Sequence, residues 1–221
     1  MTARLWNLLP LAWRRELERL LEAMEIALSI KSPRVLATLG PSAGRGLLLR
    51  QGRKGAHHAV PAAHSTCFGW EYTSDFEQMA ELKRRALASQ WSADSLPWDT
   101  SVDPLDPERP LLPESYFAFE VLERHGVKLD AKERREVMYR VVSWLLSQFL
   151  HGEQGALFAA SQVTEAVPFH DGKLYGATQV LDEARHVEEF ERYVNEKLQW
   201  RERVNDNLFT VLDAMIGDSR W

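Results

Sequence analysis

Glu153, Glu183 and His186 stand where a packed helix would carry an apolar residue. Met138, Val142, Leu145, Leu146, Phe149, Ala156, Leu157 and Ala160 recur mostly at spacings of three and four and draw one apolar stripe. Glu153 falls on that stripe, between Phe149 and Leu157. A second stripe runs through Val180, Val187, Phe190 and Val194, with Gly176 at its start. Glu183 and His186 fall on it, three residues apart and therefore on one helix face. A carboxylate on a buried face is costly unless it is paired or bound to a cation. Glu-x-x-His is the spacing that lets a carboxylate oxygen and an imidazole nitrogen reach one ion in a bundle core. The mixed oxygen and nitrogen donors suit iron or manganese better than a thiolate-seeking metal.

The neighbours of these three fit the same chemistry. Metal-bound histidine normally gives its second ring N–H to a carboxylate. Asp182 is the right kind of residue for that, and Arg185 can hold Asp182 or Glu189. Gly152 and Gly155 flank Glu153 in mid-helix, where glycine is unfavourable compared with alanine, and would leave room beside the carboxylate. The competing reading is a solvated helix face laced with ion pairs, of the kind Glu188 and Arg192 are spaced to make. The alignment of Glu183 and His186 with the apolar stripe argues against it, as does a stripe carboxylate on the preceding helix.

The elements that must position these residues are helical, and no convincing strand pattern is present. Asp130 caps a long helix over about 131–165. A second follows Pro168 and Gly172 over about 174–199. A short third, 206–216, ends at Gly217. Ahead of them, 114–125 makes a short helix ended by Gly126. Residues 92–113 carry five prolines and read as a turn-rich connection. Residues 74–91 open with Ser74 and Glu77, which together predict a capping box. Residues 12–30 have helical spacing, and packing on the chain's own domain is the expectation for their apolar face. Residues 32–64 are punctuated by glycine and proline and read as a linker. His57, His58 and His64 lie there without a periodic element to group them. The division that follows is 1–66, N-terminal helix and irregular linker, and 67–221, helical domain. The fold class is all-α.

Composition narrows the function classes. The 221 residues are 45% hydrophobic and 27% charged, with net charge −5 and no basic stripe interleaved with aromatics. A core can be buried, and nucleic-acid binding is a poor fit. Cys67 is the one cysteine, so no disulfide can form within the chain and a cytoplasmic location is expected. No apolar run approaches the ~20 residues that span a bilayer, and charges at Arg14, Arg15 and Glu16 break up the start too early for a secretory signal.

Asp182-Glu183-Ala184-Arg185-His186, preceded by Glu153 and a spacer of residues 154–181, resembles the signature of the ferritin-like carboxylate-bridged di-iron superfamily. Its members include the ribonucleotide reductase small subunit, the bacterial multicomponent monooxygenase hydroxylases and the arylamine N-oxygenases. HGEQGAL, LDEARHVEEF and the tryptophan-containing WSADSLPWD carry the likeness over about residues 67–221. The resemblance implies Glu153 as a terminal ligand, Glu183 as a bridge between two metals, and His186 on the metal of Glu153. Asp182 and Arg185 would support them from behind. It implies a dinuclear iron cofactor, with manganese or a mixed pair as variants, and a ferritin-like bundle.

That family uses two copies of the motif, four carboxylates and two histidines, and this chain holds one. Glu120, Glu123 and His125 lack the spacing, and His151 faces away from Glu153. The half-bundle is expected to be completed by a homodimer or by a missing C-terminal half. The expected function is a di-iron oxidase or oxygenase acting on a small organic substrate with a separate electron donor. A ferritin- or rubrerythrin-like iron oxidase or peroxide scavenger is one alternative, and a non-catalytic helical subunit with a vestigial half-site is another.

Overall fold

The computed structural model describes residues 10–54, 65–66 and 72–219. Among them are seven α-helices and no strand: α1 Leu11–Ser29, α2 Pro33–Ala43, α3 Glu77–Ala88, α4 Phe119–Arg124, α5 Ala131–Ala166, α6 His170–Arg192 and α7 Asp206–Ile216. The all-helical reading holds. Cys67, His57, His58 and His64 lie outside the described residues. No helix among the described residues is long and apolar enough to cross a membrane.

α5 is the spine, 36 residues long and therefore about 54 Å at 1.5 Å per residue. It starts where the sequence says it should. Asp130 accepts from the Lys132 and Glu133 amides, and Glu133 accepts from the Asp130 amide, a complete capping box. It stops at Val167, whose backbone is extended because Pro168 follows. A three-residue link, 167–169, turns the chain into α6, which starts four residues earlier than the periodicity predicts. α5 and α6 run antiparallel: Phe149 meets Phe190 edge-on at 5.9 Å, and Gly176 sits against Thr164.

A wider helical turn, Tyr193–Leu198, extends α6 and ends at Gln199 in a left-handed conformation. The chain then returns along α5. Gln148 donates to the Arg203 carbonyl at 3.0 Å and accepts from the Asn205 amide at 2.7 Å. Tyr139 donates to the Leu198 carbonyl at 2.7 Å. These bonds account for the buried Gln148 on a face that otherwise packs. α7 then lies on α5. A Cβ at Gly155 would meet Leu212 of α7 at 2.3 Å, so Gly155 serves helix packing, and the room beside Glu153 comes from Gly152 instead.

Four expectations are corrected. The linker read over 32–64 contains α2, followed by a wide turn, Gly44–Leu48, and a short 3-10 turn, Gln51–Arg53. Gly46 and Gly52 are contact surface rather than breakers: a Cβ at Gly46 would meet Thr210 Oγ1 at 2.3 Å and the Asp206 carbonyl at 3.1 Å, and one at Gly52 would meet Phe209 at 3.0 Å. Ion pairs Arg45–Asp213, 2.7 Å, and Arg53–Asp206, 2.9 Å, fasten this segment to α7. Ser74 caps nothing. α3 starts at Glu77, and Ser74 instead donates to Asp171 of α6 at 2.8 Å, beside the Phe76 amide at 3.1 Å. A local capping signal lost to a buried acceptor. α1 forms, but its stripe does not pack on the domain: Trp13, Met24 and Leu28 are exposed, because α2 turns to α7 and leaves α1 beside the body. Arg192 bonds Asp94 and Glu196 rather than Glu188.

Candidate metal centre

The antiparallel α5/α6 pair brings the three sequence-predicted ligands together. His186 Nδ1 lies 3.2 Å from Glu183 Oε2 and 3.4 Å from Glu153 Oε2. One donor atom from each residue falls within 4.8 Å of the others. Two donors bound side by side on an ion with bonds of ~2.1 Å stand about 3.0 Å apart, from the ordinary lengths of metal–nitrogen and metal–oxygen bonds. The two His186 separations are a few tenths of an ångström longer than that, so small side-chain shifts would bring each carboxylate and the imidazole onto one ion, and two oxygens with one imidazole nitrogen are a donor set for iron or manganese.

The electrostatics point the same way. The Glu153 carboxyl is pushed above its ordinary range, first by burial and then by the neighbouring Glu183 carboxylate, with His186 pulling it back down. Two carboxylates and one imidazole thus lie close together in partial burial, where uptake of a proton or a cation would relieve the repulsion between the carboxylates.

The surroundings hold the ligands in place. Arg185 is buried. It pairs with Asp182, donates to the Trp91 carbonyl at 2.7 Å and lies over the Trp91 ring at 4.9 Å. Trp91 in turn sits 6.2 Å from the His186 ring at an interplanar angle of 31°. Asp182 is thus held by Arg185, one of the two partners that its spacing allows, rather than by His186. One residue before Glu183, it points about 100° round the helix from the ligand face. The segment after Trp91 is tied to the end of α6: Arg192 stacks on Trp98 at 4.3 Å, and Lys197 bonds the Thr100 carbonyl at 2.9 Å. WSADSLPWD stands out in the sequence only by its likeness to the superfamily's tryptophan-containing segment, and its fit over α6 depends on long-range packing.

Beside the ligands lies a feature the sequence did not announce. A cleft of about 500 Å³ runs from Gly152 and Glu183 between α5 and α6, past Ala156, Ala160 and Gly176, to Val163 and Phe169. Met79 of α3 and Met215 of α7 also line it. Its lining is apolar apart from Tyr175, Gln179 and Glu183. The small residues that make it were visible at spacings of three and four, but which neighbour they faced was not.

Among the described residues, no other acid or histidine joins the site. Glu123 bonds Arg134 at 2.6 Å, about 28 Å along α5 from Glu153. His151 bonds the Glu202 carbonyl at 2.9 Å on another face. No family model, curated protein or solved structure matches this chain.

Proposed function

We propose that Glu153, Glu183 and His186 bind iron as one half of a carboxylate-bridged pair in a ferritin-like bundle, and that the protein is an oxidase or oxygenase. Its substrate is a small organic molecule held in the adjoining cleft. The observation that carries this reading is the convergence of two carboxylates and one imidazole from two helices. Such a pair, when bound, supplies electrons to O₂ and yields an oxidant; the reaction class rests on the likeness of the motif to its superfamily.

The chain's own residues have definite tasks in this scheme. Glu153 and Glu183 supply negative charge and oxygen donors. His186 supplies the nitrogen. Trp91 and Arg185 fix the stretch of α6 that presents Glu183 and His186. The cleft offers apolar walls beside Glu183 to a substrate. That chamber favours an organic oxidase over an iron oxidase or peroxide scavenger, neither of which needs one. Manganese or a mixed pair would use the same donors.

Metal analysis of protein produced with iron tests the ligand reading. Iron is expected to co-purify and to be lost from Glu183→Ala, and iron-free protein under these conditions overturns it. Oxygen uptake that needs an added organic substrate supports the oxygenase, whereas uptake with iron alone supports the scavenger.

A further inference from the structure

We infer that a second copy of this chain completes the metal centre, and that the bound ions hold the two copies together. The inference rests on the ligand reading proposed above.

Ligand arithmetic is the first support. The α5/α6 hairpin presents one Glu from one helix and one Glu-x-x-His from the other. A dinuclear carboxylate centre in a four-helix bundle needs a Glu from each of two helices and a Glu-x-x-His from each of the other two. Two copies of this hairpin supply four helices and that complete set. A two-fold axis is the operation that brings the same patch of each copy to one locus, which is how most soluble proteins dimerise. Among the described residues no further group of His, Cys, Asp and Glu converges in this way.

The exposure of the site is the second support. Glu153, Glu183 and His186 lie on apolar stripes, yet their side chains are 27, 23 and 37% exposed. Phe149, four residues before Glu153, is 46% exposed, with its ring edge-on to Phe190. The apolar cleft continues the same strip beyond Glu183. An apolar strip with half a ligand set in its middle is an interface with a registration mark.

Charge is the third support, and it makes the inference specific. Pairing two copies gathers four carboxylates at one point, which is repulsive. Two divalent cations cancel those four charges. Dimerisation is therefore expected to depend on metal.

The test is the solution mass of the full chain, stripped of metal and then titrated anaerobically with Fe²⁺ or with Mn²⁺. The expected result is a monomer that becomes a dimer as metal reaches one ion per chain. At that ratio the Mn²⁺ protein should give the electron paramagnetic resonance spectrum of a coupled pair. Glu183→Gln should abolish both changes. Phe149→Arg, at a position that supplies no ligand, should raise the dimer dissociation constant at least tenfold with the far-ultraviolet helical signal unchanged. A chain that binds metal but stays monomeric, with isolated-ion spectra, overturns the dimer and leaves the ligands standing. A chain that binds neither ion overturns the ligand reading and the dimer with it. A dimer that forms equally well in chelator overturns the role of the ions.

Discussion

Replacing Glu183 by Gln should leave the metal-free protein almost as stable as before, yet cost it most of the stability that metal confers. Without metal, two effects oppose each other. Glu153 and Glu183 offer oxygens within 4.8 Å. Their repulsion is about 0.9 kcal/mol at that distance in water and about 3.5 kcal/mol at an effective dielectric of 20. Partial exposure places it toward the lower figure. Removing the charge releases that repulsion but weakens the hydrogen bond between Glu183 and His186, worth ~1 kcal/mol. The net change is expected within about 1 kcal/mol of zero. With metal at a hundred times its dissociation constant, the wild type gains about 2.7 kcal/mol. For a chain of this size that raises Tm by about 5–11 °C. Thermal unfolding followed by circular dichroism, in chelator and in excess Mn²⁺, reads both quantities. The expected pattern is near-equal Tm in chelator and a metal-induced rise in the wild type alone. An equal deficit of Glu183→Gln under both conditions would refute the reasoning, because it would make Glu183 a structural residue.

Three further outcomes follow from the packing. Metal binding should quench part of the tryptophan fluorescence through Trp91, which stands 6.2 Å from His186, and Trp91→Phe should remove that part of the quench. Asp171 is held below the usual carboxylate range by the Phe76 amide first and the Ser74 hydroxyl second. Its contribution is therefore present above the pKa it has in the unfolded chain and is lost as pH falls through the lower folded value; Asp171→Asn should flatten the acid limb of a stability–pH curve and speed hydrogen exchange at Phe76. Leu198, 1% exposed where the extension of α6 ends, should cost about 2–5 kcal/mol when cut to Ala, read by urea denaturation.

The parts of the molecule legible in the sequence are those decided locally. Asp130 with Glu133, the apolar period of α5, Val167 before Pro168 and the stop at Gly217 are settled within a few residues of where they act. So is the shared face of Glu183 and His186, which follows from helical geometry alone. The meeting of Glu153 with that pair is non-local, and it was readable only because each helix carried its anomaly on the side that had to pack. What could not be read depended on distant partners. Ser74 has a good local cap signal but finds Asp171, which is better placed to accept. The glycines near residue 46 look like breakers until α7 arrives against them. The Asp182–Arg185 pair follows from its spacing of three, but the anchor of Arg185 on the Trp91 carbonyl does not. The cleft exists only once small residues of α5 and α6 face each other.

The three-residue link between α5 and α6 has a consequence for how the molecule matures. All three candidate ligands sit in one hairpin between residues 153 and 186, so bringing them together closes only a short loop. The contact that fastens the wide turn after α2 to α7, Arg45 with Asp213, spans 168 positions. Local contacts form early in folding and distant ones late. The geometry of the candidate site is thus set by one hairpin, which can form before the N-terminal segment docks. On the proposed reading, a nascent chain has its ligands in place while the rest of its surface is still being built.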